Sequence, residues 1–254
     1  MWNGDYKFVI GNLVEKDFKI RYRNMSLGVF WSMLNPLVLM GVLTFIFTKI
    51  APVNNMDHYA LQVLCGLVPF SFFSVAWVGA TTSLVDNAVL IKRVPVPREI
   101  IPVASVLSNC LHLFIQIFLL LAMTLIFRRG VNVYWFWLPV VWGLEVVFVC
   151  GLGLMFAALN VYIRDMRYVV ESATTVLFWL VPIFYSFTII PHQYLDLYLY
   201  NPIAAMVICL RNILVDGRPP AHSTLIKLTL SSFTVLSCGI LVFEKLKRRF
   251  YEFL

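Results

Sequence analysis

The sequence predicts an all-α membrane protein with six spanning helices. Of its 254 residues, 61% are hydrophobic and 13% are charged, and the mean hydropathy is +0.84. Soluble domains carry about 25% charged residues, roughly twice as many. A spanning helix needs about 20 mostly apolar residues. The whole chain, 1–254, is predicted to form one transmembrane domain. Six of its segments reach that length: 29–50, 59–85, 101–127, 132–159, 168–190 and 222–243.

The distribution of Lys and Arg predicts how the spans are oriented. With a cytoplasmic N-terminus, the cytoplasmic segments hold 14 of these residues and the outer segments hold 6. Basic residues accumulate on the cytoplasmic side of membrane proteins. We therefore expect both termini in the cytoplasm. The net charge of +7 then reflects topology and contact with anionic lipids, rather than nucleic-acid binding.

The first segment, 1–24, is too polar to cross a membrane. Its apolar residues recur at helical spacing, which predicts an amphipathic helix lying in the cytoplasmic interface. It lacks the apolar core and small-residue cleavage site of a signal peptide. A topological anchor and a regulatory element both remain open as its role. The residues of this apolar face are Trp2, Tyr6, Val9, Ile10 and Leu13.

A short cytoplasmic helix is predicted in the loop 86–99, between the second and third spans. Asp86 or Asn87 can cap its start. Pro95 and Pro97 stop it and push the residue before each of them toward extended geometry. The two prolines also predict a stiff connection to the third span.

The segment 191–220, after the fifth span, is predicted to stay at the outer face. Its apolar run, 203–215, has 13 residues, and Asn201-Pro202 breaks it from the preceding chain. We expect one or two short interfacial or re-entrant helices here. An ordinary extracellular loop is the alternative.

Few ionisable residues lie within the spans, and intramembrane charges are often functional. Glu145 either lines a hydrated channel or is protonated and hydrogen-bonded within the bundle. His112 is interpreted as a packing or interhelical hydrogen-bonding residue. No paired carboxylates occur, which argues against a proton- or sodium-driven carrier. Gly151 and Gly153 have the spacing of close helix packing, and the five cysteines have no metal-ligand spacing.

Aromatic residues make up 15% of the chain and include a group in and after the fifth span. Rings that face a channel would offer flat surfaces for sugar rings, although lipid-facing or core packing is the more common explanation for any single ring. The sequence contains no G-x-x-x-x-G-K-[ST] phosphate loop, no G-x-S-x-G turn and no H-E-x-x-H motif. If this chain takes part in an energy-consuming process, the energy must therefore be supplied by another protein chain.

Four stretches, in order along the chain, resemble the membrane subunits of bacterial polysaccharide-exporting ABC transporters, the O-antigen exporters most of all. They are "KIRYRNMSLGVFWSMLNP" (19–36), "NAVLIKRVPVPREIIPVASVLS" (87–108), "ALNVYIRDMRYVVE" (158–171) and "VPIFYSFTIIP" with "LYLYNPIAAMV" (181–191 and 197–207). The resemblance implies the type-2 ABC exporter fold, working as a homodimer with two separate ATP-hydrolysing subunits. ATP and Mg would bind those partners, and this chain would carry no cofactor or metal.

The resemblance also implies a lipid-linked polysaccharide as substrate, and the bacterial inner membrane as location. It assigns roles to four groups of residues, none of them catalytic. Coupling to the ATPase subunit falls to Asn87, Val89, Leu90, Ile91, Lys92 and Arg93. The substrate entrance comprises Arg21, Tyr22, Arg23, Arg164 and Arg167. The channel-lining candidates are Trp31, Asn35, Phe178, Trp179, Phe184 and Tyr185. The periplasmic gate comprises Tyr194, Tyr200, Asn201, Pro202 and Arg211.

Other functions stay open at this point. Capsule and teichoic acid are alternative substrates on the same scaffold. A drug or small-lipid exporter on the same scaffold is disfavoured. The usual members of that class carry a large external domain after the first span, whereas only about eight residues separate the first two spans here. A membrane-embedded glycan-modifying enzyme would need a cluster of intramembrane His and acidic residues, and only His112 and Glu145 are available.

Overall fold

The structure is a computed structural model that describes residues 6–22, 30–50, 58–94, 96–127, 130–185 and 198–253, together with the single positions 52, 187 and 193. All regular structure in these ranges is helical, which confirms the all-α prediction. The helices are α1 (Tyr6–Tyr22), α2 (Phe30–Phe45), α3 (Tyr59–Asp86), α4 (Ala88–Arg93), α5 (Ile100–Ile126), α6 (Leu138–Tyr162), α7 (Met166–Leu180), α8 (Pro202–Leu214), α9 (His222–Leu246) and α10 (Phe250–Phe253). A π-helical turn, Ile46–Ile50, extends α2, and 3₁₀ turns, Val133–Trp137 and Lys247–Arg249, precede α6 and α10.

Five helices within the described ranges are long and apolar enough to cross a membrane. Each overlaps one of the predicted spans. Five such helices in one chain make this a multi-pass membrane protein. They are Phe30–Ile50, Tyr59–Asp86, Ile100–Ile126, Val133–Tyr162 and His222–Arg249.

The predicted fifth span, 168–190, is not a continuous helix, and that prediction is corrected here. Helix α7 has 15 residues, which at 1.5 Å per residue make it about 22 Å long. It ends because Pro182 restricts the residue before it, and Val181 accordingly has extended dihedrals of −73° and 139°. The chain nevertheless reaches the first turn of α3, where the Tyr59 hydroxyl donates to the Phe184 carbonyl oxygen (2.8 Å). This crossing is therefore part helix and part non-helical backbone.

Helix α8 is embedded in the bundle. It packs between α3, α6 and α9, and ten of its 13 residues are buried. Arg211, in its last turn, donates to the carbonyl of Gln62 in the first turn of α3. Pro202, at its other end, lines a cavity with Phe148 of α6, roughly 15 Å from the start of that helix. The segment 202–214 is thus a buried helix, as expected for the short-helix alternative, and not an ordinary loop. Gly217 (φ 63°) then turns the chain into α9.

The core has two parts. The larger cluster lies where α3 packs against α5, α6 and α8. A second cluster gathers both ends of the chain around the short helix α4, and we call it the α4-end cluster. Its members include Leu13, Leu84, Ile91, Ile100, Leu154, Phe243 and Phe250.

Close helix contacts depend on glycine at two places in α6. A Cβ added to Gly239 of α9 would lie 2.2 Å from the Gly151 carbonyl oxygen, so the two backbones touch. A Cβ added to Gly153 would lie 2.8 Å from Ala80 Cβ on α3. The small residues predicted to pack helices thus serve two different neighbours, on opposite faces of α6.

A buried amide joins three spans. The Gln116 side chain of α5 accepts a hydrogen bond from Ser71 Oγ of α3 (2.7 Å) and donates to the Ser32 carbonyl oxygen of α2 (3.2 Å). His112 Nε2 lies 3.1 Å from Gln116 Nε2, one turn away on the same helix. His112 therefore takes part in an interhelical hydrogen-bond network, as predicted, and Gln116 is its centre.

Candidate functional site

Helix α4 presents a small basic surface at one end of the bundle. Val89 is 63% exposed, and Lys92 and Arg93 are also exposed. Ile91 is only 4% exposed, because it packs into the α4-end cluster, and Leu90 lies against the same cluster. The assignment of Ile91 to a partner-binding surface is therefore corrected: this side chain holds α4 in place.

Asn87 attaches α4 to two other helices. Its Nδ2 donates to the Ser83 carbonyl oxygen of α3 (2.8 Å), and its Oδ1 accepts from Lys16 Nζ of α1 (2.5 Å). Its side chain makes no capping bond to α4, and Asp86 is the last residue of α3, so the predicted cap is wrong. Val94 is extended, with φ −125° and ψ 130°, as the following proline predicts. The start of the short helix is thus held by the hydrogen bonds of Asn87, and the helix ends at the extended residue Val94.

The last residues, Leu246–Phe253, form what we call the C-terminal clasp. Three side chains from elsewhere in the chain donate to backbone carbonyl oxygens of the clasp: Tyr162 Oη at position 246 (2.7 Å), Arg98 Nη1 at position 247 (2.7 Å) and Arg164 Nη2 at position 253 (3.0 Å). Phe250 is fully buried, and Arg98 Cζ lies 5.8 Å from the centre of its ring. The clasp therefore joins the arm that follows α4 to the loop between α6 and α7.

The predicted substrate-entrance arginines differ in their surroundings. Arg164 is held by the clasp. Arg167 pairs with Glu171 one turn later on α7 (Nε to Oε1, 2.8 Å), and both side chains are exposed. An exposed pair of this kind adds little stability, so Arg167 stays accessible to an anionic group. The side chains of Arg21 and Tyr22, and all of Arg23, lie outside what the structure describes.

The aromatic residues predicted to line a channel divide into inward and outward groups. Phe178 packs against Phe70 of α3, edge to face, with ring centres 5.4 Å apart. Phe184 stacks on Phe47, with ring centres 5.8 Å apart and planes 11° apart. Trp179 faces outward and is 63% exposed. Phe178 and Phe184 therefore belong to the packing of this chain, whereas Trp179 contacts both of these rings edge to face and leaves most of its own surface exposed.

Of the remaining channel candidates, Tyr185 is hydrogen-bonded within the chain, whereas Trp31 and Asn35 are exposed. The Tyr185 hydroxyl lies 2.8 Å from the Tyr198 hydroxyl and donates to the Leu180 carbonyl oxygen (2.6 Å). Trp31 and Asn35 are exposed on α2. The outward-facing members of the set thus lie on α2 and α7, two helices that have only two buried residues each.

Arg211 fixes the non-helical part of the fifth crossing. Its guanidinium is 8% exposed and donates to three backbone carbonyl oxygens: Gln62 (Nε, 3.2 Å), Tyr185 (Nη1, 3.2 Å) and Ile183 (Nη2, 2.7 Å). The same backbone lies directly on α3, since a Cβ added to Gly66 would be 2.9 Å from Ile183 Cα. Non-helical backbone at membrane depth needs such partners.

The other predicted gate residues lie at the start of α8. Asn201 Oδ1 accepts from the backbone N–H two residues later (3.1 Å), and Pro202 takes the first helical position, where its missing N–H has no cost. Tyr200 is exposed, and Lys227 Nζ of α9 lies 4.9 Å from the centre of its ring. Tyr194 lies outside the described residues.

Three residues with clear structural roles were missed by sequence reasoning. Arg98 was counted only as a positive charge, Gln116 only as part of a span, and Gly66 not at all. Glu145 was left open between two environments. It is 1% exposed, and within the described ranges neither carboxyl oxygen has a hydrogen-bond partner, so it does not line an open channel in this chain.

Comparisons with known proteins agree with this architecture. The family described as ABC-2 type transporter matches residues 9–215. The O-antigen export system permease protein RfbA of Klebsiella pneumoniae is 29% identical over 243 residues, which cover 95% of this chain and 93% of the relative. The protein of the same name from Myxococcus xanthus is 25% identical, covering 97% and 95%. The polysialic acid transport protein KpsM of Escherichia coli is 23% identical, covering 94% and 93%.

These matches confirm the family resemblance noted in the sequence motifs. The family match covers most of α1, the α4 surface, the fifth crossing and α8. It ends at Val215, before α9 and the C-terminal clasp. The chain belongs to the ABC-2 type transporter family of membrane proteins.

Proposed function

We propose that this chain is the channel-forming transmembrane subunit of an ATP-driven exporter that moves a lipid-linked polysaccharide across the bacterial inner membrane. The observation that carries the proposal is its nearly end-to-end similarity to O-antigen export permeases, over 95% of this chain. O antigen of lipopolysaccharide is therefore the first substrate to test. The weaker similarity to polysialic acid transport proteins makes a capsular polymer the second.

The energy for export would come from a separate ATP-binding subunit. This chain has no phosphate loop, so ATP and Mg would bind the partner. The α4 surface suits a docking role, because Val89, Lys92 and Arg93 project from a helix that Ile91 and Asn87 hold in place. Motion imposed on such an anchored helix passes into the bundle instead of being absorbed by a slack loop.

A homodimer with two ATP-binding subunits is the proposed assembly. In a single copy, α2 and α7 leave apolar and aromatic surface uncovered, including Trp31 and Trp179. A second copy placed against these helices would enclose a pathway between them. The outward rings would then provide flat surfaces on which sugar rings stack.

The proposed orientation places both termini in the cytoplasm. Helix α4 and the C-terminal clasp then face the ATP-binding subunits, and α8 faces the periplasm. The exposed Arg167 would attract the diphosphate of the lipid-linked substrate at the cytoplasmic side, since Arg binds phosphate well.

Charge reversal on α4 tests the proposal. Lys92→Glu with Arg93→Glu should abolish surface polysaccharide in a strain lacking the native gene, while the permease stays in the membrane. ATP hydrolysis by the purified complex should continue without export. Lys245→Glu, an exposed cation of the same end of the bundle, is the matched control and should export normally. Normal export by the α4 variant would refute the docking role, and normal surface polymer in the deletion strain would refute the function itself.

A further inference from the structure

A groove open to the side of the bundle runs between α1, α5, α6 and α9. Its volume is about 520 Å³, and its walls are almost entirely apolar. From Glu244 at its mouth to Leu236 it follows eight residues of α9, about 12 Å. Half of the roughly 30 Å hydrocarbon core is about 15 Å, so the groove extends along most of the hydrocarbon depth of one leaflet. The apolar wall includes Ile10, Val103, Val147, Leu154, Leu236 and Ile240.

Two carboxylates stand at the mouth of this groove, which we call the α9 groove. Glu99 is half-buried and, within the described ranges, has neither a hydrogen-bond nor an ion-pair partner. Glu244 uses Oε1 to pair with Lys247 Nζ (2.5 Å). A carboxylate beside an apolar wall gains from a cation, so Glu99 favours a ligand with a positive group.

The charges at the mouth discriminate between lipid classes. The mouth carries both signs, because Lys247 pairs with Glu244 and Arg98, next to Glu99, bonds to the backbone at position 247. Such a mixed surface suits a zwitterionic headgroup better than an anionic diphosphate or phospholipid. A primary ammonium is attracted and offers three N–H donors, enough to bridge both glutamates. Lys247, beside Glu244, supplies the cation that a neighbouring phosphate needs.

We propose that the α9 groove binds one phospholipid whose zwitterionic headgroup carries a primary amine, as in phosphatidylethanolamine. The ammonium lies between Glu99 and Glu244, the phosphate lies toward Lys247, and an acyl chain follows the apolar wall to the middle of the membrane. The site belongs to a single copy of this chain and lies outside the proposed polysaccharide pathway on α2 and α7.

Lipid exchange on the purified full-length protein tests the site. The delipidated protein is offered phosphatidylethanolamine, phosphatidylcholine or phosphatidylglycerol with identical acyl chains, and retained lipid is counted by native mass spectrometry. Phosphatidylethanolamine should be retained about tenfold better than phosphatidylcholine, which has no N–H donors. The combined change Glu99→Gln with Glu244→Gln should remove that preference, whereas Glu171→Gln, a paired acid on α7, should keep it.

A second variant separates the groove from its mouth. Ile240→Trp, at an exposed position in the wall, fills the groove without disturbing the core and should reduce the retention of all three lipids. Equal retention of phosphatidylethanolamine and phosphatidylcholine would overturn the proposal, as would an unchanged preference in the double Gln variant. Displacement of bound lipid by an isoprenoid diphosphate would also overturn it, because the groove would then take the exported substrate.

Discussion

Arg211 Nη2 donates to the carbonyl oxygen of Ile183 across 2.7 Å, joining the last turn of α8 to backbone that has left α7. The planar guanidinium carries five N–H donors; two of its bonds go to the Ile183 and Tyr185 carbonyl oxygens, which lie outside any helix, and a third goes to Gln62 in the first turn of α3. A buried cation here thus takes the place of the hydrogen bonds that α7 loses at Pro182.

Replacing Arg211 should open the outer segment. Arg211→Ala leaves the Ile183 and Tyr185 carbonyl oxygens without their side-chain donor and should lower the free energy of unfolding by roughly 2–4 kcal/mol. Arg211→Lys keeps the charge but lacks the fork of donors, so it should recover only part of that loss. Unfolding in mixed micelles measures both changes. Arg218→Ala, an exposed arginine of the following loop, should leave stability unchanged; equal losses at the two positions would contradict the role given to Arg211.

The contact between Gly66 and Ile183 predicts a second effect at the same place. Gly66→Ala brings a Cβ within 2.9 Å of Ile183 Cα, a backbone atom that cannot rotate away. The expected cost is about 1–3 kcal/mol, measured as a lower unfolding temperature. Gly143→Ala is the control, because nothing lies within 4 Å of a Cβ there. Alanine does no harm in a helix by propensity, so similar losses in both variants would count against the steric explanation.

The backbone contact between α6 and α9 predicts a larger effect. In Gly239→Ala the new Cβ would lie 2.2 Å from the Gly151 carbonyl oxygen, so the two helices must separate. We expect a loss of about 3 kcal/mol, because overpacking at a backbone cannot be relieved by a rotamer change. Crosslinking of cysteines placed on α6 and α9 would report the separation. Gly41→Ala, with open space around its Cβ, should show neither change, and an intact crosslink in Gly239→Ala would refute the prediction.

The C-terminal clasp should affect coupling more than folding. Arg98→Ala removes the bond to the clasp and the ring contact with Phe250, while the remaining clasp bonds stay. If α4 moves the bundle through this arm, the polymer exported per ATP hydrolysed should fall about fivefold or more. Arg248→Ala, an exposed basic residue of the clasp, is the control. A loss of protein from the membrane without a change in that ratio would mean that Arg98 serves stability alone.

The sequence predicts the elements that depend on local pattern. Helices α3 and α5 follow from long apolar runs, and the extended Val94 follows from the next residue being proline. Proline also explains the early end of α7, which hydropathy alone hides because the residues after Pro182 are equally apolar. The prediction for Asn87 was wrong because its side-chain amide can either cap the start of α4 or bond to the end of α3. In the structure Lys16 of α1 occupies the amide oxygen that a cap would need.

Tertiary contacts decide the rest of the candidate site. Ile91 looks like an exposed anchor in the sequence, yet the three-dimensional path of α1 and the chain terminus covers it. The partners of Arg211 are 26 to 149 residues away along the chain, and no local pattern encodes them.

The α4-end cluster has a consequence for biosynthesis. It begins with Leu13 and is completed by Phe243 and Phe250, close to the end of the chain. Since chains emerge from the ribosome N-terminus first, earlier spans enter the bilayer with this cluster unfilled. A chain that stops before Phe243 would therefore have most of its spans inserted while the α4-end cluster stays incomplete, and membrane proteases would be expected to degrade it.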